Sequence, residues 1–464
     1  MTKRASGRRI AAGLTLGLVA AVTFTTNRPA AQADLVPMAK AEAVGMSSKR
    51  LTRIHDFIQG FMDREEIAGA VTLVARHGKV VHFEAQGYRS KEDKALMEKD
   101  TIFSLMSMTK PIVSTALMML WEDGRFLLDD PIAKWLPSYA NKQVMENGKL
   151  VKANPVTVRH ILTHTSGLTL SAAPAAVSNE NVMATQAQRD AATQAQREAA
   201  QRQTQAAPAA PAQPTARPRT LAEAIERAAP LPLNFQPGTR WEYGSSTDFV
   251  AVLVEKMSGM TIDQFVRERI FQPLNIRDTH YNIPREKVNR VAAVYRPGPD
   301  GKITLLRKPE FREPTTYFPG VAGLNGTAAD YFRFCQMLLN GGELDGVRLL
   351  GRMTVDNMFS NHIGTGKPVY IRGDGYGFGL GAGVLTDPAK APDAFSIGTW
   401  SWGGADGTIF YIDPQEDLVA ILMVQLNPYT RSGIRPKYSI VVSQAITDSL
   451  AGQKPKVMGY ETPR

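Results

Sequence analysis

"FSLMSMTKPIVSTALMML", residues 103 to 120, places Ser107 three positions before Lys110 at the mouth of an apolar run. Two readings of these residues are open. Serine is a favoured helix N-cap, because its hydroxyl can accept an orphan N–H of the first turn. Alternatively, the three-residue spacing stacks Lys110 over Ser107 on one helix face. A lysine in a partly desolvated place loses proton affinity, so its neutral amine could take the hydroxyl proton, and the helix N-terminus would favour the developing oxyanion. Chance alone supplies about one or two Ser-x-x-Lys in a chain of this length. The decision between cap and nucleophile lies elsewhere in the sequence.

With 464 residues, 43% hydrophobic and 21% charged, the chain can bury a large core and is not disordered as a whole. Residues 1–33 read as a secretory signal peptide: basic "MTKRASGRR", an apolar run from Ile10 to Phe24, then "AAQA" at a cleavage point. That run is too short and too rich in Gly and Thr to span a bilayer, and no later segment qualifies, so no stable membrane span is expected after cleavage. Arg8 and Arg9 fit either general secretion or the twin-arginine route. The expectation is a periplasmic or secreted protein. Lys3, Arg4, Arg8, Arg9 and Arg28 leave with the leader, so the formal net charge falls from +10 to +5, too mild for a nucleic-acid partner. Cys335, the single cysteine, lies in "YFRFCQMLL" and reads as core.

Ser47 or Ser48 precedes Leu51, Ile54, Phe57, Ile58 and Phe61 at helical spacing, which predicts a first helix. "AVTLVARHGKVVHFEAQGY" then gives two β-rich runs around His77-Gly78, a hairpin signal, and "GTIFYIDPQEDLVAILMVQ" repeats the pattern around Asp413-Pro414. A closing helix is predicted over Ile440 to Leu450. The middle, roughly 100 to 340, is mainly helical pattern and loops, including Ser114 to Trp121 and Tyr331 to Leu339. Terminal segments that pair into one antiparallel sheet, with a helical lobe inserted, define an α+β fold whose cleft between lobes is the natural site. One segment departs from this composition: Ala184 to Arg219, with an eight-residue Ala/Gln/Arg repeat, a Pro-Ala tail and no aromatic residue. It cannot bury a core, and reads as an insertion within the single domain 34–464.

"PGTRWEYGSSTDF" offers Tyr243 on a Gly/Ser-rich turn as a second proton carrier; its plain reading is a half-buried aromatic. "GTWSWGGADGTIFYID" sets Gly403 and Gly404 at a strand edge, where a backbone can approach closely. The N–H of Ala405 could then form an oxyanion hole with that of Ser107, unless the glycines merely end a strand. His160 and His164 are four apart, but no H-E-x-x-H and no ligand cluster accompanies them, so they read as structural. Gly-x-Ser-x-Gly is absent, as are phosphate loops and basic strips with interleaved aromatics.

"FSLMSMTKP", "LTHTSGL" (162–168), "FQPGTRWEYGS" (235–245), "GVAGLNGTAADYFRF" (320–334) and "WGGADGTIFYIDP" (402–414) together resemble the serine β-lactamase-like hydrolases. More narrowly, they resemble the class C-related branch that includes family VIII carboxylesterases. The five blocks stand in the family's order across residues 50 to 450. The resemblance implies that Ser107 is the acylated nucleophile, Lys110 its general base and Tyr243 the proton relay to the leaving group, with no metal and no organic cofactor. Two motifs depart from the family set of Ser-x-x-Lys, Ser-Asp-Asn and Lys-Thr-Gly. Ser245 stands where β-lactamases of this branch have Asn, and Trp402-Gly403-Gly404 replaces the motif whose Lys pairs with a substrate carboxylate. Arg431-Ser432-Gly433, the nearest imitation, reads as loop.

A Trp-Gly-Gly here resembles the esterase members, and implies an exported serine hydrolase that cleaves small carboxylic esters through an acyl-enzyme. The alternatives are a β-lactamase or D-amino-acid peptidase acting on amides, and a non-catalytic penicillin-binding-like protein. Either way the partner is a small-molecule ester or amide. The sequence leaves the oligomeric state open.

Overall fold

The runs on either side of His77 and Gly78 form the predicted hairpin, with both turn residues at positive φ (52° and 71°), the backbone that matches the twist of its strands. The chain is described by a computed structural model over residues 1–2, 36–170, 217–430 and 432–449. The expected signal segment and most of the 184–219 insertion lie outside the described residues. In chain order the principal helices are α1 (Ser48–Asp63), α2 (Thr109–Glu122), α3 (Ser246–Ser258), α4 (Ala328–Leu339) and α5 (Ile434–Ser443).

The main sheet takes β1 (Gly69–Arg76), β2 (Lys79–Ser90), β3 (Ala95–Leu96), β4 (Tyr376–Phe378), β5 (Gly383–Leu385), β6 (Trp400–Gly403), β7 (Ile409–Asp413) and β8 (Leu418–Met423). Its order is β4-β5-β6-β7-β8-β1-β2-β3, antiparallel throughout. The join between the two ends of the chain is β1 against β8, in register from Val71↔Met423 to Arg76↔Leu418. Both strands are buried along their length, as continuous apolar runs covered on both faces must be. α1 and α5 pack on each other and on this sheet, and α4 packs on β8 and β1.

α1 starts at the N-cap Ser47, which accepts Arg50 N–H at 3.3 Å. It buries Leu51, Ile54, Ile58 and Phe61, each worth about 1.5–3 kcal/mol of removal from water. α5 begins and ends earlier than the sequence predicts. Gly433, at φ 61°, sets its start, and beyond Ser443 the chain turns to dock on α1, with Ser47 N–H donating to the Ala445 carbonyl at 2.8 Å. Tertiary pairing there overrides the periodicity over 440–450. α2 is buried at every position from Thr109 to Leu120, as a helix apolar all round must be. It packs on α3 to form the core of the inserted lobe.

Candidate active site

Ser107 is delivered by a short antiparallel pairing of Phe103–Ser104 with Asn325–Gly326. Gln425 braces it: Ser104 N–H donates to Oε1 and Nε2 donates to the Ser104 carbonyl, both at 3.2 Å. The chain then bends through Met106 at φ 47°, a left-handed conformation that a non-glycine residue holds only when its surroundings fix it. One 3₁₀ turn leads into α2. No side chain caps α2, so the capping reading of Ser107 fails and its hydroxyl is left to other partners. Pro111 is tolerated because the first turn needs no N–H.

Those partners are the two that the sequence singled out. Lys110 Nζ lies 2.9 Å from Ser107 Oγ, and Tyr243 OH donates to the same oxygen at 2.7 Å. Lys110 also donates to the Val321 carbonyl at 2.8 Å and sits 4.6 Å over the Tyr243 ring. Trp402 on β6 donates its indole N–H to Tyr243 OH at 3.3 Å. Since indole nitrogen only donates, the phenol hydrogen is directed to Ser107. A hydroxyl that accepts from a phenol can give its own proton to the amine on its other side, once that amine is neutral.

Sequence reasoning missed three supports. Asp248, in the first turn of α3, accepts Val321 N–H at 3.1 Å, so the residue whose carbonyl holds Lys110 has its own N–H fixed by a buried acid. Burial pushes that carboxyl up to about 6, against the pull of the Val321 and Gly320 backbone and of Lys110. His164, at φ 56°, packs 4.9 Å from the Tyr243 ring. Burial first, then Lys110, hold its imidazole well below its ordinary value and so uncharged. Tyr370 accepts Tyr243 N–H on its hydroxyl at 3.1 Å. Asp248 stood five places after Tyr243 in a quoted motif, but an acid in a first turn reads as an ordinary dipole partner. His160, by contrast, closes a capping box with Thr157; the two histidines share no face.

The glycines of the edge turn have a reason other than room for substrate. A β-carbon on Gly404 would lie 2.4 Å from the Leu105 carbonyl oxygen and 2.5 Å from Thr408 Oγ1; one on Gly403 would lie 2.7 Å from the guanidinium carbon of Arg435. The turn is thus seated against the segment that carries Ser107. Ala405 N–H has no acceptor among the described residues. Ser245 precedes α3, and its carbonyl accepts Asp248 N–H at 2.9 Å, while its hydroxyl has no hydrogen-bond partner among the described residues. Ser246, the next residue, instead pairs with Ser166 at 2.9 Å. A cavity of about 460 Å³ opens beside Met106, lined also by Tyr281, Val291, Val294 and Gly323. Among the described residues no group of His, Cys, Asp and Glu could hold a metal ion, and no helix is long and apolar enough to cross a membrane.

This fold, with a buried serine held between an amine and a phenol, defines a serine hydrolase of the β-lactamase-related kind. The family model named Beta-lactamase matches residues 54–444, and the chain belongs to that family. It is 31% identical over 389 residues to Protein Rv1367c of Mycobacterium tuberculosis, covering 80% of this chain and 89% of that one. It is 30% identical over 407 residues to Esterase EstB of Burkholderia gladioli, covering 84% and 93%. The solved structure of EstCE1, described as a hydrolase with promiscuous acyltransferase activity, shares the fold at a TM-score of 0.67. The identity is 24%, over 86% of this chain and 99% of that one.

Proposed function

We propose that the protein is an exported serine hydrolase that cleaves small carboxylic esters through an acyl-enzyme on Ser107. The observation that carries this reading is the double contact on one oxygen, Lys110 at 2.9 Å and Tyr243 at 2.7 Å. Neutral Lys110 takes the Ser107 proton while still donating to Val321. Ser107 attacks the ester carbonyl, the oxyanion is met by the N–H groups of Ser107 and Ala405, and Tyr243 passes a proton to the departing alkoxide. Water, activated by the same pair, then releases the acid. The kinship to EstB, an esterase by name, supports an ester rather than an amide. So does Trp402, which stands where a β-lactamase or D-amino-acid peptidase would offer a cation to the substrate carboxylate. The basic, apolar and small-residue order of residues 1–33 supports a periplasmic or secreted location.

The test is hydrolysis of p-nitrophenyl acetate and butyrate beside nitrocefin, with the mature chain and Ser107→Ala. Ester turnover that falls by at least about 10³-fold in the variant is expected, with nitrocefin nearly untouched. Ester cleavage that survives in Ser107→Ala would sink the acyl-enzyme, and brisk nitrocefin turnover would move the substrate to amides.

A further inference from the structure

Arg435, on the first turn of α5, is 7% exposed and reaches the underside of the Trp402-Gly403-Gly404 turn. Its guanidinium donates to three backbone carbonyls: from Nη2 to Gly404 and to Thr408 (2.8 Å), and from Nε to Gly407 (3.3 Å). The guanidinium carbon lies 3.4 Å from the Tyr429 ring centroid, so the cation is clamped between an aromatic face and the turn. Gly403 is bare because a β-carbon would meet that guanidinium.

The peptide joining Gly404 to Ala405 is trans, since the one cis bond among the described residues is Asn427–Pro428. In a trans peptide the C=O and N–H point in opposite directions. The Gly404 carbonyl is held by Arg435 and by Gly407 N–H (3.0 Å), so the Ala405 N–H faces away from the guanidinium. A cation on the carbonyl also polarises the amide and strengthens its N–H as a donor.

We propose that Arg435 is a positioning residue for the oxyanion hole: it grips the far side of the turn, aims the Ala405 N–H at the reacting carbonyl and sharpens it as a donor. The chain lacks a lysine at the turn itself, and positive charge reaches the same peptide from behind, where it is closed to a substrate carboxylate. The proposal rests on the acyl-enzyme reading above.

Arg435→Met and Arg435→Lys test it, with p-nitrophenyl butyrate as substrate and phenylboronic acid as probe, because a serine boronate places an oxygen where the oxyanion forms. Arg435→Met should lower kcat about thirtyfold, less than the 10²–10³ lost when such a donor is removed outright. KM should stay within about threefold, and the inhibition constant of the boronic acid should rise by the same factor as kcat falls. Unchanged kcat in a variant that keeps its thermal transition, or an equal loss in KM with boronate affinity intact, overturns the proposal. If Arg435→Met does not fold, Arg435→Lys decides. It keeps the charge without the three-point grip, so a fall of about fivefold or more in kcat at constant KM supports the proposal and wild-type kcat overturns it. Ser107→Ala is assayed in parallel. If it stays active, the acyl-enzyme and this role fall together; if it is dead while both Arg435 variants match wild type, only this role falls.

Discussion

Trp402 is 2% exposed, and its indole N–H points at the Tyr243 oxygen, where it would stabilise charge that develops as the phenol gives up its proton. Trp402→Phe keeps the ring and drops the donor. At about 1 kcal/mol for such a bond, kcat should fall roughly three- to tenfold with KM unchanged in steady-state ester kinetics. An unaltered kcat would leave Trp402 to packing alone. Asp248 yields a pH signature. Its folded carboxyl is pushed up to about 6 from an ordinary 3.8, so the folded state prefers the proton. That preference stabilises the fold fully below pH 3.8 and is lost as pH rises through 6. Asp248→Asn keeps an acceptor for Val321 N–H and removes the titration. Thermal melts at pH 4.5 and 7.5 should show the variant gaining on wild type at the higher pH. Asp330, also pushed up to about 6 by burial, keeps part of the decline in both proteins. Equal differences between variant and wild type at the two pH values would refute the assignment.

Between elements, the decisive contact is the edge turn after β6 lying against the segment that leads into α2. Gly404 touches the Leu105 carbonyl there, and backbone cannot swing aside as a side chain can. Gly404→Ala should lift the turn off the nucleophile and reduce kcat at least about tenfold, more than it lowers the melting temperature would suggest. Wild-type kcat in that variant would mean that the seat is loose. The hairpins around His77-Gly78 and Asp413-Pro414 were legible because apolar β-rich runs and the turn residues between them are local properties. The end of α5 was not, because docking of Ala445 on Ser47 decides it.

Across the whole molecule, the first and last strands of the chain share one sheet, β1 lying between β8 and β2. A chain ending at Thr399 would lack β6, β7, β8 and α5, and with them every sheet partner on one side of β1. Far-UV circular dichroism should then show no cooperative thermal transition, although the inserted helical lobe is complete in sequence. A sharp transition would show that this lobe folds alone. The same closure explains how Ser107, Tyr243 and Trp402, distant along the chain, meet within bonding distance.

The sequence by itself determined the α+β class of fold and the burial of Cys335, and it singled out Ser107, Lys110 and Tyr243, which the fold brings within hydrogen-bond distance, because hydrophobic period, turn chemistry and short motifs are written in neighbouring residues. Only the tertiary structure decided that Ser107 is no cap, that Gly403 and Gly404 are bare for Arg435 and Leu105, and that Asp248 steadies the loop behind Lys110. The glycine and Asp248 contacts run across tens to hundreds of residues, set by how the sheet closes, and no local pattern carries them.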